Sequence, residues 1–239
     1  MPSLRIAREQ ARSINCRSNI KTLTFAWLIY KDENDDKLVN PNTPTPGDYS
    51  KSLEPWVLMP PNAGNSSVEE KKEYIKKGAL WPYVNEIDVY RCPSDKRKNN
   101  SYFKYAFRTY SITGGLNGGG GSEIVPCTKY TDIKTPANKW VFLAECDIRG
   151  YNMNSWVMAP KSRHWADAFG IWHRDNSSTV GYTDGGVGMQ RWKSKDLIDW
   201  NRKALNDPLH FNFGRTPASD EEWKDFEIAL KAYPYKALR

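Results

Sequence analysis

The sequence predicts an α+β protein in which a long N-terminal helix packs on an antiparallel β-sheet and a helical extension follows. Residues 4–34 place apolar and small side chains at a helical period, which indicates the first helix. Farther along the chain the period becomes two, as in strands, and a helical pattern returns after residue 194. This order of elements is typical of the α+β class. We therefore divide the 239 residues into a helix at 1–34, a loop-rich head at 35–193 and a helical C-terminal extension at 194–239.

The composition supports a folded, loop-rich protein. Hydrophobic residues make up 39% of the chain and aromatic residues 13%, which is enough for a core and argues against a wholly disordered chain. Fifteen prolines and sixteen glycines predict many turns and long connections. The sequence contains no run of about 18 apolar residues and no signal-peptide pattern.

The net charge of +7 is compatible with nucleic acid, anionic lipid or an acidic protein as a partner. A solvated basic surface explains the same charge. The densest basic run is Lys96-Arg97-Lys98, which is shorter than the clusters typical of nucleic-acid binding. The charge alone therefore selects no partner.

The first helix has two apolar stripes on nearly opposite sides. On a helical wheel, the first stripe consists of Leu4, Ala7, Ala11 and Ile14, and the second of Ile20, Leu23, Trp27 and Tyr30, with Cys16 beside it. A surface helix with one partner needs only one apolar face. Two stripes therefore indicate two partners, the protein's own head for the second stripe and another surface for the first. A helix that crosses two parts of a single core is the alternative.

Within the head, one short helix is predicted from its ends. Ser67 and Glu70 form a capping box that opens it. Lys76 and Lys77 suit the negative end of its dipole, and Gly78 suits a left-handed cap after it.

The remaining elements follow from alternation and from a second capping box. Strands are predicted at 102–113, Trp140–Ala144, 179–184 and 187–192. The last two are joined by Asp184-Gly185-Gly186 and form a hairpin. In the C-terminal extension, Ser219 and Glu222 open a helix, whose apolar stripe is Trp223, Phe226, Leu230 and Tyr233.

Features that suggest phosphate binding or catalysis lack the required spacing. The glycine-rich run 114–121 contains neither G-x-G-x-x-G nor Gly-Lys-Ser/Thr, so we interpret it as a loop between strands. His164, His173 and His210 are scattered, and no G-x-S-x-G motif is present. A Cys–His pairing stays open, because nothing in the sequence identifies one. We predict that the chain is not an enzyme and requires no cofactor.

Four carboxylates fall at predicted strand ends and turns, where they could gather around Ca²⁺, which takes six to eight oxygen ligands. They are Glu145, Asp147, Asp175 and Asp184. The EF-hand spacing is absent, and carboxylates that cap turns are the alternative.

Four cysteines occur, at positions 16, 92, 127 and 146. None belongs to a C-x-x-C pair and no histidine follows at zinc-finger spacing, which argues against structural zinc. An even number of widely separated cysteines suits disulfides in an oxidising compartment. Four buried free thiols are the alternative.

A series of short motifs runs in order from about residue 4 to residue 193. They lie at residues 7–12, 16–23, 27, 30–35, 80–83, 90–95, 110–112, 133, 136, 142–145, 173 and 180–187. In this order they resemble bacterial type IV pilin-like proteins, and in particular the large pseudopilin-like proteins that begin with a prepilin-type cleavage/methylation segment. The last motif resembles the family's Phe-Ala-Asp-Gly-His-Val signature, with Gly186 in place of the usual histidine.

The resemblance implies a pilin-like fold and a structural role. In such proteins the N-terminal half of the long helix contacts neighbouring subunits or crosses the membrane. The implied assembly face is Leu4, Ala7, Ala11 and Ile14 with Arg5, Arg8 and Arg12. The arginines would meet lipid phosphates or a neighbour's carboxylates, although a solvated helix face would show the same pattern.

The function implied is that of a structural subunit of a cell-envelope filament or of a type II secretion-like pseudopilus. The expected partners are other pilin-like subunits, the inner membrane through an apolar helix upstream of Leu4, and a prepilin peptidase acting on the full-length form. We expect inner-membrane anchoring before assembly, with the head periplasmic or extracellular. The alternative is an extracellular module that binds polysaccharide, or DNA as the less favoured ligand, through exposed aromatic and basic residues.

The resemblance also implies disulfides. Cys16 and Cys92 both lie in matched motifs, and an envelope protein folds where thiols oxidise. We therefore predict a Cys16–Cys92 disulfide and, as the second pair, Cys127–Cys146.

Overall fold

The computed structural model describes residues 2–49, 54–97, 107–118, 123–147, 154–207 and 210–236. It is an α+β fold with a long N-terminal helix and a four-stranded antiparallel sheet, which confirms the predicted class. The helices are α1 (Pro2–Glu33), α2 (Val68–Ile75), α3 (Trp81–Val84), α4 (Lys195–Asn206) and α5 (Asp220–Ala232). The strands are β1 (Tyr110–Ile112), β2 (Trp140–Ala144), β3 (Met158–Ala159), β4 (His164–Trp165), β5 (Ser177–Tyr182) and β6 (Val187–Arg191).

The main sheet has the order β1-β2-β5-β6, and every neighbouring pair is antiparallel. Strand β2 is buried along its whole length, as its continuous apolar sequence predicts. The β5–β6 hairpin is also confirmed. Of the strand predicted at 102–113, the structure has β1; residues 102–106 lie outside the described part. Strands β3 and β4 form a separate small hairpin, which the sequence pattern did not indicate.

Helix α1 packs on the sheet through its second apolar stripe. Ile20, Leu23 and Trp27 are fully buried, and Tyr30 is nearly so. The contact is close because β5 has a glycine opposite the helix. A Cβ atom on Gly181 would lie 2.6 Å from Thr24 Oγ1 and 2.7 Å from a methyl carbon of Ile20, so only glycine allows this approach.

The C-terminal segment joins the same core as the sheet. Helices α4 and α5 open with Ser194 and Ser219 as N-caps. The Phe226 ring of α5 lies 5.1 Å from Trp165 between ring centroids. The buried carboxylate of Asp225 accepts hydrogen bonds from the amides of Lys193 and Ser194 at 2.9 and 2.8 Å, which ties α5 to the start of α4.

The predicted left-handed cap at Gly78 is wrong. Helix α2 does begin at the Ser67 cap, but Gly78 is not among the residues with positive φ. Gly78 has a steric role instead, because a Cβ atom at this position would lie 2.1 Å from the Trp56 carbonyl oxygen.

Two isoleucines of α1 provide a matched test of this packing. Ile20 is fully buried, whereas Ile29 is 44% exposed. We expect Ile20→Ala to lower the free energy of unfolding by about 2–5 kcal/mol, because it leaves a cavity between helix and sheet. Ile29→Ala should change it by less than about 1 kcal/mol. Urea unfolding of both variants measures the difference, and equal losses would contradict the described packing.

Candidate functional site

The first half of α1 lies at the protein surface. We call residues 3–15 the uncovered half of α1; each is exposed except Glu9 and Ser13, which are partly buried. At 1.5 Å per residue it is about 20 Å long. Its large apolar side chains stand in water, with Leu4 50%, Ile6 39% and Ile14 55% exposed.

The two apolar stripes of α1 therefore have different environments. The second stripe is buried against the sheet. All members of the predicted assembly face are exposed, namely Leu4, Ala7, Ala11, Ile14, Arg5, Arg8 and Arg12. Their exposure is compatible with the predicted assembly role and does not identify a partner.

A groove of about 500 Å³ lies between α1 and the β5–β6 edge of the head. Ser13, Ile14 and Arg17 line it on the helix side. His173 and Met189 line it on the side of the head. The groove thus runs along the boundary at which the helix passes from the uncovered half to the buried part.

A cluster of two cysteines and one histidine lies beside this groove. Ligand atoms of Cys16, Cys92 and His173 all lie within 4.8 Å of one another, and all three residues are buried. Cys92 Sγ is 3.6 Å from His173 Nε2. Among the described residues this is the one group of three or more such side chains close enough to hold a metal ion.

Three separate segments build the cluster. Cys16 is on α1. Cys92 follows a 3₁₀ turn, Ile87–Tyr90, and His173 directly precedes another 3₁₀ turn that leads into β5. The three residues are far apart in the sequence. The packing of α1 on the sheet brings Cys16 to the other two side chains.

The two thiols have different proton affinities. Burial acts to raise the pKa of Cys16, but hydrogen bonds with Cys92 and His173, together with the charge of His173, bring it well below the ordinary value. Burial raises the pKa of Cys92, and the hydrogen bond and charge of Cys16 raise it further. Tyr110 donates its hydroxyl to Cys16 Sγ at 3.1 Å. The cluster thus favours one thiolate, at Cys16.

The residues after Cys92 form a buried ionic network, which no pattern in the sequence predicts. Arg97 donates to Asp95 Oδ2 at 2.7 Å, and both side chains are almost completely buried. Asp95 also accepts from Thr109 at 2.7 Å, and Arg97 reaches the Arg108 carbonyl oxygen at 2.7 Å. Arg97, the central residue of the basic run at 96–98, therefore points inward.

Hydrogen bonds among Arg108, Ser111 and Glu145 extend this network to the end of β2. Ser111 donates a hydrogen bond to Glu145, and Arg108 donates to Ser111 at 3.0 Å. Burial raises the pKa of Glu145 to about 8, and the charges of Asp147 and Asp167 add to the effect. Burial also lowers the pKa of Arg108 to about 10.

The predicted calcium set is not assembled. Glu145 and Asp147 are buried beside the ionic network, whereas Asp175 and Asp184 are exposed. Asp175 precedes β5 and Asp184 follows it, so the strand separates them. Asp184 accepts from the Gly186 amide at 2.8 Å, which makes it a turn-capping carboxylate, the alternative that the sequence left open.

Neither predicted disulfide is formed in the structure, since Cys16, Cys92, Cys127 and Cys146 are all free and buried. The sulfur atoms of Cys16 and Cys92 are nevertheless brought together. Cys127 instead directs its thiol to the Asp132 carbonyl oxygen at 3.7 Å. For the oxidised protein, the Cys16–Cys92 pairing stays a prediction.

Comparison of the chain with protein-family models, with curated proteins and with solved structures found no match. Within the described residues, no helix combines the length and the apolar character that crossing a membrane requires.

Glu145 should make the free energy of unfolding depend on pH. Its carboxyl group holds a proton to about pH 8 in the folded protein but ionises near 4.5 in the unfolded chain. Between these values the folded state binds more protons, so the free energy of unfolding falls as pH rises, by at most about 1.4 kcal/mol per pH unit. Glu145→Gln should remove this contribution.

Urea unfolding between about pH 5 and about pH 8 measures this effect. We expect the stability of the wild type relative to Glu145→Gln to decrease steadily over this range. Glu69→Gln, at an exposed position of α2, is the control and should show no such trend. A flat difference between wild type and Glu145→Gln would contradict the described environment of Glu145.

Proposed function

We propose that this chain is a structural subunit of a cell-envelope filament or of a type II secretion-like pseudopilus, and that it acts by assembly. The observation that carries the proposal is the uncovered half of α1. It presents apolar side chains to water on a helix whose second half is anchored in the head. The proposal adds to this the resemblance of the sequence motifs to pilin-like proteins.

The apolar part of this surface favours a helical neighbour. Leu4 and Ile14 are each at least half exposed. Fully burying a side chain of this size contributes about 1.5–3 kcal/mol, and covering the exposed half of one contributes about half of that. A second pilin-like subunit, which presents the same kind of helix, supplies an apolar stripe of matching length.

The charged residues on the uncovered half of α1 also favour a second pilin-like subunit as the neighbour. Arg5, Arg8 and Arg12 are exposed. Arg12 pairs with Glu9 of its own helix at 2.7 Å, so the surface contains both signs of charge. Helices that pack side by side could exchange such pairs, and the arginines nearest the membrane could meet lipid phosphates.

The continuity of α1 supports a rigid presentation of this surface. The helix runs without interruption from Pro2 to Glu33, and one face of its second half packs against β2 and β5. For the full-length form we expect an apolar helix of about 20 residues in line with α1, preceded by a short basic leader for the prepilin peptidase. The head would then be periplasmic or extracellular.

The alternative of a polysaccharide-binding module receives no support from the tryptophans. A sugar platform needs exposed, coplanar rings. Of the ten tryptophans, all of them described, eight are buried and two, Trp81 and Trp223, are partly buried. The tryptophans thus serve the core.

A catalytic use of the Cys92–His173 contact also receives no support. Both side chains are buried, with Cys92 0% exposed. Burial also raises the pKa of Cys92, which disfavours the thiolate that a cysteine nucleophile requires. The contact is better suited to structure than to attack on a substrate.

The assembly role can be tested by photo-cross-linking in the cell envelope. A photoreactive amino acid replaces Ala11 in the uncovered half of α1, or Ile228 as the control. Ile228 is 42% exposed but lies on α5. We expect position 11 to cross-link to pilin-like subunits and position 228 to give no such product. Equal yields, or products with lipid alone, would contradict assembly through this face.

Two charged substitutions test the energetics of the same face. Leu4→Glu with Ile14→Glu should reduce the cross-linking yield from position 11 at least about tenfold, because two apolar contacts are lost. Ile228→Glu is the matched control and should leave the yield unchanged. Since all three positions are exposed, the head should fold normally in each variant, which circular dichroism verifies.

A further inference from the structure

We propose that Cys16, Cys92 and His173 bind a Zn²⁺ ion in the reduced protein. The proposal starts from the convergence of two sulfur atoms and one imidazole nitrogen within 4.8 Å in a buried position. It does not depend on the assembly role, because it concerns the junction between α1 and the head.

The separations of the ligand atoms suit a tetrahedral ion. Zn–S bonds of about 2.3 Å and Zn–N bonds of about 2.0–2.1 Å place sulfur and nitrogen about 3.5–3.6 Å apart at a tetrahedral angle. Cys92 Sγ and His173 Nε2 are already 3.6 Å apart. The third ligand atom, Cys16 Sγ, lies within 4.8 Å of both, so a small side-chain adjustment completes the set.

The chemistry of the ligands selects the class of metal. Thiolate and imidazole together suit Zn²⁺, whereas Ca²⁺ and Mg²⁺ require oxygen ligands. The sulfur atoms also receive the hydrogen bonds that stabilise metal-bound thiolates. The Ser94 amide donates to Cys92 Sγ at 3.4 Å, and the Tyr110 hydroxyl donates to Cys16 Sγ at 3.1 Å.

His173 is oriented to bind the metal through one ring nitrogen, and its other ring nitrogen makes no hydrogen bond within the described residues. Its Nε2 faces Cys92, while its buried Nδ1 has no hydrogen-bond partner among the described residues. A metal ion on Nε2 would leave the proton on Nδ1. A tetrahedral zinc site takes four ligands, and these three side chains would supply three of them.

The ion would join three segments that are far apart in the sequence. Cys16 lies in α1 where the uncovered half ends, Cys92 lies in the turn that leads to the buried ionic network, and His173 lies at the entrance to β5. Zinc at this point would fix the long helix to the head, because each ligand belongs to a different segment.

Metal uptake by the wild-type chain is the first test. The protein is reduced, stripped of metal with a chelator and titrated anaerobically with Zn²⁺ or, for spectroscopy, Co²⁺. We expect about one ion per chain, with thiolate-to-cobalt charge transfer and the strong visible bands of a tetrahedral site. Zinc should protect Cys16 and Cys92 from alkylation but leave Cys127 and Cys146 unaffected, as read by peptide mass spectrometry.

Variants assign the site within the same experiment. Cys16→Ser, Cys92→Ser and His173→Gln should each abolish the stoichiometric ion, whereas Cys127→Ser and Cys146→Ser should retain it. The last two are matched controls, because both cysteines are also free and buried. Less than about 0.1 ion per wild-type chain, or protection spread equally over all four cysteines, overturns the proposal. The alkylation pattern needs no variant, so it decides the outcome even where a substitution prevents folding.

Discussion

The structure depends on the packing of one helix against the sheet at a point where no side chain stands between them. Gly181 of β5 lets Ile20 and Thr24 of α1 approach the strand backbone. Three other features depend on this contact. It buries the second stripe of α1, fixes which half of the helix stays in water, and carries Cys16 into the head beside Cys92 and His173. A helix displaced from this seat would lose its hydrophobic anchor and the Cys–His cluster together.

Beneath the helix, the head is organised by charge as well as by apolar packing. The turn after Cys92 sends Asp95 and Arg97 into the interior, where they meet Thr109 and the Arg108 backbone. Breaking one partner of a buried ion pair leaves an uncompensated charge, which is far more costly than the pair itself is stabilising. The segment that begins at Cys92 therefore has two roles. Cys92 lies beside Cys16 of α1, and Asp95 accepts a hydrogen bond from Thr109, the residue before β1.

Local patterns in the sequence predicted local structure well. Capping boxes located α2 and α5, and a continuous apolar run identified β2. Contacts between residues far apart in the sequence were not predictable in this way. The calcium hypothesis grouped two buried carboxylates with two exposed ones, and the spacing rules for zinc could not detect the Cys–Cys–His cluster at positions 16, 92 and 173. Such clusters depend on tertiary packing, which the period of a sequence does not encode.

The continuity of α1 also has a mechanical consequence. Because only part of the continuous helix is held by the head, a load applied near Leu4 is transmitted to the point where burial begins, around Cys16 and Ile20. There the helix lies across β5, a strand bonded on both sides to β2 and β6. Tension along α1 is thus resisted as shear between the helix and the sheet, and many side-chain contacts share the load. The hydrogen bonds between the strands are not the first interactions to break.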